Sequence, residues 1–169
     1  LDSSRFCDWI FMAPSYLFDI TGVNLDQVQF DAQAVEAVNP HRGVMRLIDG
    51  VIYESADQTE AIAYRDTRSD EFWVPGHVPG RPLFPGVLMV EAAAQLASFV
   101  TLRRHGQPYP FMGFAGIEDT KFRQQVVPGD RLIFLAKQVE FRKRRSICVT
   151  QGWVRGSLAF EAKVIGMLI

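Results

Sequence analysis

The chain predicts an α+β fold in which one long buried helix packs against an antiparallel sheet, and three observations lead there. The first is the run over 87–104, VLMVEAAAQLASFVTLRR, whose apolar residues go almost all the way round a helix. Such a helix needs cover on most sides. The second is a succession of strand-like segments at 131–142, 145–155 and 157–168, joined by short turns and therefore antiparallel neighbours. The third is the order of elements: strands, then the helix, then this meander, with no internal repeat. A sheet that curls around a central helix buries that helix most economically.

The elements follow in order. Residues 24–38 read as a short helix or a loosely packed lead-in. Segments 46–56 and 58–66 carry β-branched and aromatic residues in partial alternation and read as two strands. A loop follows with seven Pro or Gly among positions 75–86. The helix begins near Pro85 and Gly86 and stops before His105 and Gly106. Segment 111–117 reads as a further strand and 126–130, VVPGD, as a turn.

A length of 169 residues with 48% hydrophobic residues suits one domain with a proper core. Residues 1–38 read as a lead-in and 39–169 as the domain. The apolar segment 6–18 is interrupted by Asp8 and Pro14 and lacks a clear basic region before it, so it is not read as a signal peptide. Met12 is a candidate natural start. No uninterrupted apolar run approaches the ~20 residues that span a bilayer. Cys7 and Cys148 match neither a metal spacing nor a disulfide framework, which fits a reducing compartment such as the cytoplasm. The net charge of −1 hides an asymmetry: residues 1–100 hold 6 Lys or Arg against 14 Asp or Glu, and residues 101–169 hold 12 against 5. The basic part includes the run 142–145, Arg-Lys-Arg-Arg, which is either a solvated face or a docking patch for an acidic partner.

Two side chains carry the chemistry. His77 sits between Gly76 and the pair Pro79-Gly80, in backbone stiff enough to hold it and small enough to approach a ligand. Histidine is the side chain best suited to exchange protons near neutral pH. Glu91 interrupts the apolar helix. A carboxylate there must be protonated, paired or wet, and a readily protonated Glu is a good proton donor. Gln95 lies one turn on, within hydrogen-bond reach of it. Gly86, at the helix start, offers an unpaired N–H at the positive end of the dipole, able to polarise a carbonyl. His41 reads as structural and His105 as exposed at the helix end. A phosphate-binding loop, a dinucleotide fingerprint and a Gly-x-Ser-x-Gly elbow are all absent.

Residues 76–88, GHVPGRPLFPGVL, then Glu91-Ala92 and Gln95, closely resemble the signature of the 3-hydroxyacyl-(acyl-carrier-protein) dehydratases of the FabZ type. Pro40-His41-Arg42 with Leu47-Ile48-Asp49 resembles that family's opening motif. Residues 114–117, 121–123 and 127–130 resemble its middle, and Lys143-Arg144-Arg145 with the closing strand its end. The likeness covers roughly residues 39–168. Glu rather than Asp at position 91 favours the FabZ-like over the FabA-like branch. The chain departs from the pattern at Val78, Pro75 and Gly50.

The resemblance implies a hotdog fold, with a long central helix wrapped by a curved antiparallel sheet. It implies dehydration of a (3R)-3-hydroxyacyl thioester to the trans-2-enoyl thioester, with His77 as base, Gly86 N–H on the thioester carbonyl and Glu91 helping the hydroxyl depart. It implies a homodimer, possibly a trimer of dimers, in which His77 works with the Glu91 of another subunit. Val78, Phe84, Pro85, Val87 and Gln95 would contact the substrate. Arg123, Lys143, Arg144 and Arg145 would dock an acyl carrier protein. No cofactor is implied, because the thioester carbonyl is the electron sink and the substrate rides on the carrier's phosphopantetheine. Metal, nucleic acid and membrane insertion are likewise not implied. The alternatives are a hotdog thioesterase and a non-catalytic acyl-binding protein of the same fold.

Overall fold

A computed structural model describes residues 15–169; Cys7, Met12 and most of the apolar segment 6–18 lie outside the described residues. The elements run α1 (Ala32–Val38), β1 (Gly50–Glu54), β2 (Glu60–Asp66), α2 (Gly86–His105), β3 (Met112–Phe122), β4 (Arg131–Arg142), β5 (Arg145–Val154) and β6 (Ser157–Leu168). One antiparallel sheet has the order β1-β2-β4-β5-β6-β3. It curves around α2, giving the hotdog arrangement.

Helix α2 forms where expected. Gly86 follows Pro85 at the N-cap, and Arg103, Arg104 and His105 face the negative end of the dipole. Gly106, at φ +84°, ends it in a conformation that favours glycine. By length and composition α2 is also apolar enough to cross a membrane, which the sequence reading did not allow for, but most of it is buried inside the protein. Phe99, Leu96, Ala92 and Ala93 are fully enclosed. They meet Ala61, Ala63, Leu132, Phe134, Ala136, Phe160 and Ala162 from the inner face of the sheet. The small residues on β2 and β4 let the helix lie close.

The meander follows its pattern. Strands β5 and β6 are joined through Arg155 and Gly156, both at positive φ (+49° and +72°), the two-residue turn whose twist suits a hairpin. Two expected strands differ in extent. Strand β1 is shorter than 46–56, because Leu47 and Ile48, though buried, are anchored through their backbone to the side chains of Gln95 and Arg46. Strand β3 extends past 117 to Phe122, following β6 through two register shifts. It is the sheet's far edge, and Phe114 and Phe122 on it are exposed.

The described part of the lead-in, residues 15–38, is part of the fold. Val35 on α1 enters the main core, and Asp31 caps α1 by accepting from the Ala34 N–H at 2.9 Å. Phe30 exchanges backbone hydrogen bonds with Val51 and sets its ring 5.4 Å from that of Phe99. Upstream, Leu17, Phe18, Ile20, Val23 and Leu25 gather with Ile52, Ile62, Ile133, Leu135, Trp153 and Leu158. Because side chains alternate along a strand, these strand residues form the face opposite the helix. Residues 17–25 thus cover the outer side of the sheet.

Candidate functional site

The loop that carries His77 is fixed at its base by a buried ion pair. The Glu71 carboxylate accepts from the Arg68 backbone N–H (2.8 Å), the Trp73 indole (3.0 Å) and the Arg65 guanidinium. Burial alone would push the Glu71 carboxyl up, but these donors together hold it below the usual carboxylate range. Trp73 packs edge-on against Phe84 at 5.4 Å. Its carbonyl accepts the His77 N–H at 2.8 Å, and the Leu83 N–H closes the loop onto the His77 carbonyl at 2.9 Å.

This chain of support predicts an outcome. Glu71→Gln leaves Arg65 buried with only Asp49 as a carboxylate partner, so a loss of about 3 kcal/mol is expected. A carboxyl held low in the folded state stabilises fully above its unfolded value of about 4.3 and loses that contribution as pH falls through the folded value. Thermal melts should therefore separate wild type from Glu71→Gln widely at neutral pH and converge in acid. Equal separation at both would contradict the assignment.

The His77 ring is oriented by one contact. Its Nδ1 lies 2.8 Å from the Leu83 carbonyl oxygen. A carbonyl only accepts, so Nδ1 carries the proton and Nε2 presents a lone pair. His77 is exposed within the single chain, so that lone pair is open for proton transfer.

Glu91 is fixed from its own helix. Gln95 Nε2 donates to Glu91 Oε1 at 2.9 Å and to the Met45 carbonyl at 2.8 Å, while Gln95 Oε1 accepts the Leu47 N–H at 2.9 Å. That last bond sets which end of the amide faces the acid. His41, read from the sequence as structural, places its Nε2 3.3 Å from Glu91 Oε1, and its buried Nδ1 finds no partner among the described residues. The sequence signal for this contact is only that His41 belongs to the opening motif. Glu91 is half-buried, at 31% side-chain exposure, so it is wetter than its apolar neighbours in sequence imply.

A cavity of about 220 Å³ opens beside Glu91 and His41 and runs between α2 and strands β3, β5 and β6. His77, Gly86, Val78 and Val87 do not line it. Within one chain, then, His77 and Glu91 are not brought into one cavity. The Gly86 N–H has no acceptor among the described residues. A Cβ at Gly86 would lie 3.0 Å from the Phe122 ring, so the room that glycine leaves is taken by this aromatic edge. Of the apolar residues assigned to substrate contact, Val78 and Val87 are exposed, while Phe84 is in the core and Pro85 is the buried N-cap.

The basic residues are divided. Lys143, Arg144 and Arg145 form the exposed turn between β4 and β5, with Arg144 Nε on the Leu168 carbonyl and Arg145 beside Glu140. Arg123 pairs with Glu161 at the other end of β6. Among the described residues no three His, Cys, Asp or Glu side chains gather as a metal site. Burial pushes the Cys148 thiol up to about 12, so it is no nucleophile at neutral pH.

The model of the FabA-like domain matches residues 39–163. A 3-hydroxyacyl-(acyl-carrier-protein) dehydratase FabZ of Streptococcus gordonii is 37% identical over 129 residues, covering 76% of this chain and 91% of the relative. The protein of the same name from Streptococcus sanguinis is 36% identical with the same coverage. Among solved structures, the dehydratase heterocomplex ApeI:P from Xenorhabdus doucetiae matches with a TM-score of 0.69 at 14% identity, covering 80% of this chain and 90% of that one. This last likeness speaks for the fold alone.

Proposed function

Because the chain belongs to the FabA-like family, we propose that it is a hydro-lyase that converts a (3R)-3-hydroxyacyl thioester on acyl carrier protein to the trans-2-enoyl thioester, in cytoplasmic fatty acid synthesis. The observation that carries the reaction is the His77 tautomer, which leaves Nε2 as a base in an exposed, rigid loop. His77 Nε2 takes the C2 proton. The Gly86 N–H, at the positive end of α2, stabilises the oxygen of the resulting enolate. The C3–O bond then breaks, Glu91 supplies the proton to the departing hydroxyl, and water leaves. The two residues end in exchanged protonation states, which solvent resets. The chemistry requires no cofactor.

The free edge of β3 supports a site built from two copies. An eleven-residue strand with exposed Phe114 and Phe122, its outer edge unpaired among the described residues, is a ladder that a second copy would satisfy. Antiparallel pairing of two β3 edges lays the Phe122 end of one against the Met112 end of the other. The His77 loop sits at the Phe122 end, since Phe84 bonds Val126 and Gly86 faces Phe122. The Glu91 cavity opens at the Met112 end. The pairing thus brings the His77 of one copy to the Glu91 of the other, and Arg123 of one towards the 142–145 turn of the other. A joined basic rim of this kind suits the acidic carrier.

The reaction is tested by incubating the protein with a 3-hydroxyacyl thioester. Enoyl absorbance without free thiol is the expected result; free thiol alone means hydrolysis and overturns it. Docking is tested separately. Arg144→Glu with Arg145→Glu should raise KM for carrier-bound substrate about tenfold at low salt and leave small pantetheine thioesters unaffected. An unchanged KM removes these residues from the interface.

A further inference from the structure

The sheet side of the cavity has a notch. Strand pairing sets Gly166 of β6 between Phe114 of β3 and Ser146 of β5, with Met112 and Leu168 paired in a neighbouring row. Residues two apart on a strand share a face, so Gly166 faces the same way as Val164, which packs on Ala97 of α2. Met112, Phe114, Ser146 and Gly166 all line the cavity. With no side chain, Gly166 leaves a gap in its row.

The tip of Met112 fills that gap. A Cβ placed at Gly166 would collide with Met112 Cε; Met112 Sδ would follow at 3.1 Å and the Gly113 carbonyl oxygen only at 3.6 Å. The Gly166 backbone is not in the left-handed region, so chain geometry does not require glycine there. Glycine inside a strand weakens it and often marks a close approach; here the approach is that of the thioether. Methionine is unbranched and adapts to the space on offer.

Resting on the dehydratase reading, we propose that Met112 is a specificity-determining residue that sets how much acyl tail the cavity accepts, and that Gly166 holds it retracted. With its tip in the notch, Met112 lies along the sheet and the cavity is widest at this wall. A side chain at 166 turns the tip out. The strand backbones stand behind it and the cavity in front, so the displaced atoms take up tail space. The tail admitted is apolar, because Phe114 and Val164 share the wall and the Ser146 hydroxyl is engaged by Thr101 Oγ1 at 2.7 Å and Gln138 Nε2 at 2.8 Å.

The test measures affinity by calorimetry for unreactive thioether analogues with straight tails of increasing length. Each methylene that enters the cavity should tighten binding about fourfold, until the cavity is full and the gain stops. In Gly166→Ala this limit should fall by about two carbons. In Met112→Ala it should rise by about three, one for each side-chain atom removed. The shortest analogues should bind all variants alike, and thermal melts check folding. Added to Met112→Ala, Gly166→Ala should change nothing further, its Cβ then meeting only the Gly113 carbonyl at ordinary contact distance. An unchanged limit in Gly166→Ala overturns the inference, as does an affinity loss equal at every tail length or a Gly166→Ala effect that persists without Met112. Dehydration of 3-hydroxyacyl thioesters over the same lengths is followed in parallel. Turnover with a limit that neither variant moves overturns the Met112 proposal alone. A limit that moves in binding, without turnover, sustains it and overturns the reaction.

Discussion

Mixing His77→Ala subunits with Glu91→Gln subunits is expected to restore activity that neither variant has by itself. Each variant alone should lose about 10²–10⁴ of turnover, the usual contribution of a placed acid or base. In a dimer whose sites are shared, a mixed pair holds one site with both functional residues and one with neither. Random one-to-one exchange makes half the dimers mixed, so about a quarter of wild-type activity should return. The measurement is the enoyl absorbance assay after co-refolding or long incubation of the two variants. No recovery, with mixed dimers demonstrated by native mass spectrometry, would place both residues in one chain's site. The expectation rests on His77 lying outside the cavity that Glu91 lines and on the unpaired β3 edge.

The second large effect concerns the lead-in. Deleting residues 1–28 removes Phe18, Leu17, Ile20, Val23 and Leu25 from the outer face and exposes Ile62, Leu135, Trp153 and Leu158. Each such side chain is worth ~1.5–3 kcal/mol of burial, so the deletion should cost about 5 kcal/mol or more, comparable to the whole stability of a domain. A protein that melts far lower, binds a hydrophobic dye and aggregates is the expected outcome. Phe18→Ala alone should give a smaller shift in the same direction. An unchanged melt in the truncated chain would show that the segment only rests on the sheet.

The contrast between what the sequence told and what it hid has physical roots. Strands β4 to β6 are legible because their partners lie nearby in sequence, and helix α2 because its long apolar run is bounded by Pro85-Gly86 and Gly106. The far half of β3, residues 118–122, has no apolar run of its own and is a strand only because β6 lies beside it. The covering role of Leu17, Phe18 and Ile20 was hidden for a similar reason: the surface they cover is formed largely by strands more than a hundred residues later. At the candidate site, residue types in the loop and helix single out His77 and Glu91 as candidates. Which nitrogen of His77 is free was not legible, since the carbonyl of Leu83 decides it. Nor was the approach of His41 to Glu91, a contact spanning fifty positions.

The covered outer face also limits how copies can accumulate. A bare sheet can grow in two ways, by adding strands at its edge or by stacking on its face. Here residues 17–25 occupy the outer face, and α2 fills the inner one. At the β1 side, Phe30 is already bridged to Val51. Among the described residues the β3 edge is left to extend the sheet, and the proposed two-fold pairing would consume it on both partners at once. On the proposed pairing, sheet extension would therefore be self-terminating at two copies, and any larger particle would be joined through loops and helix ends, surfaces that can separate without disturbing the paired sheet.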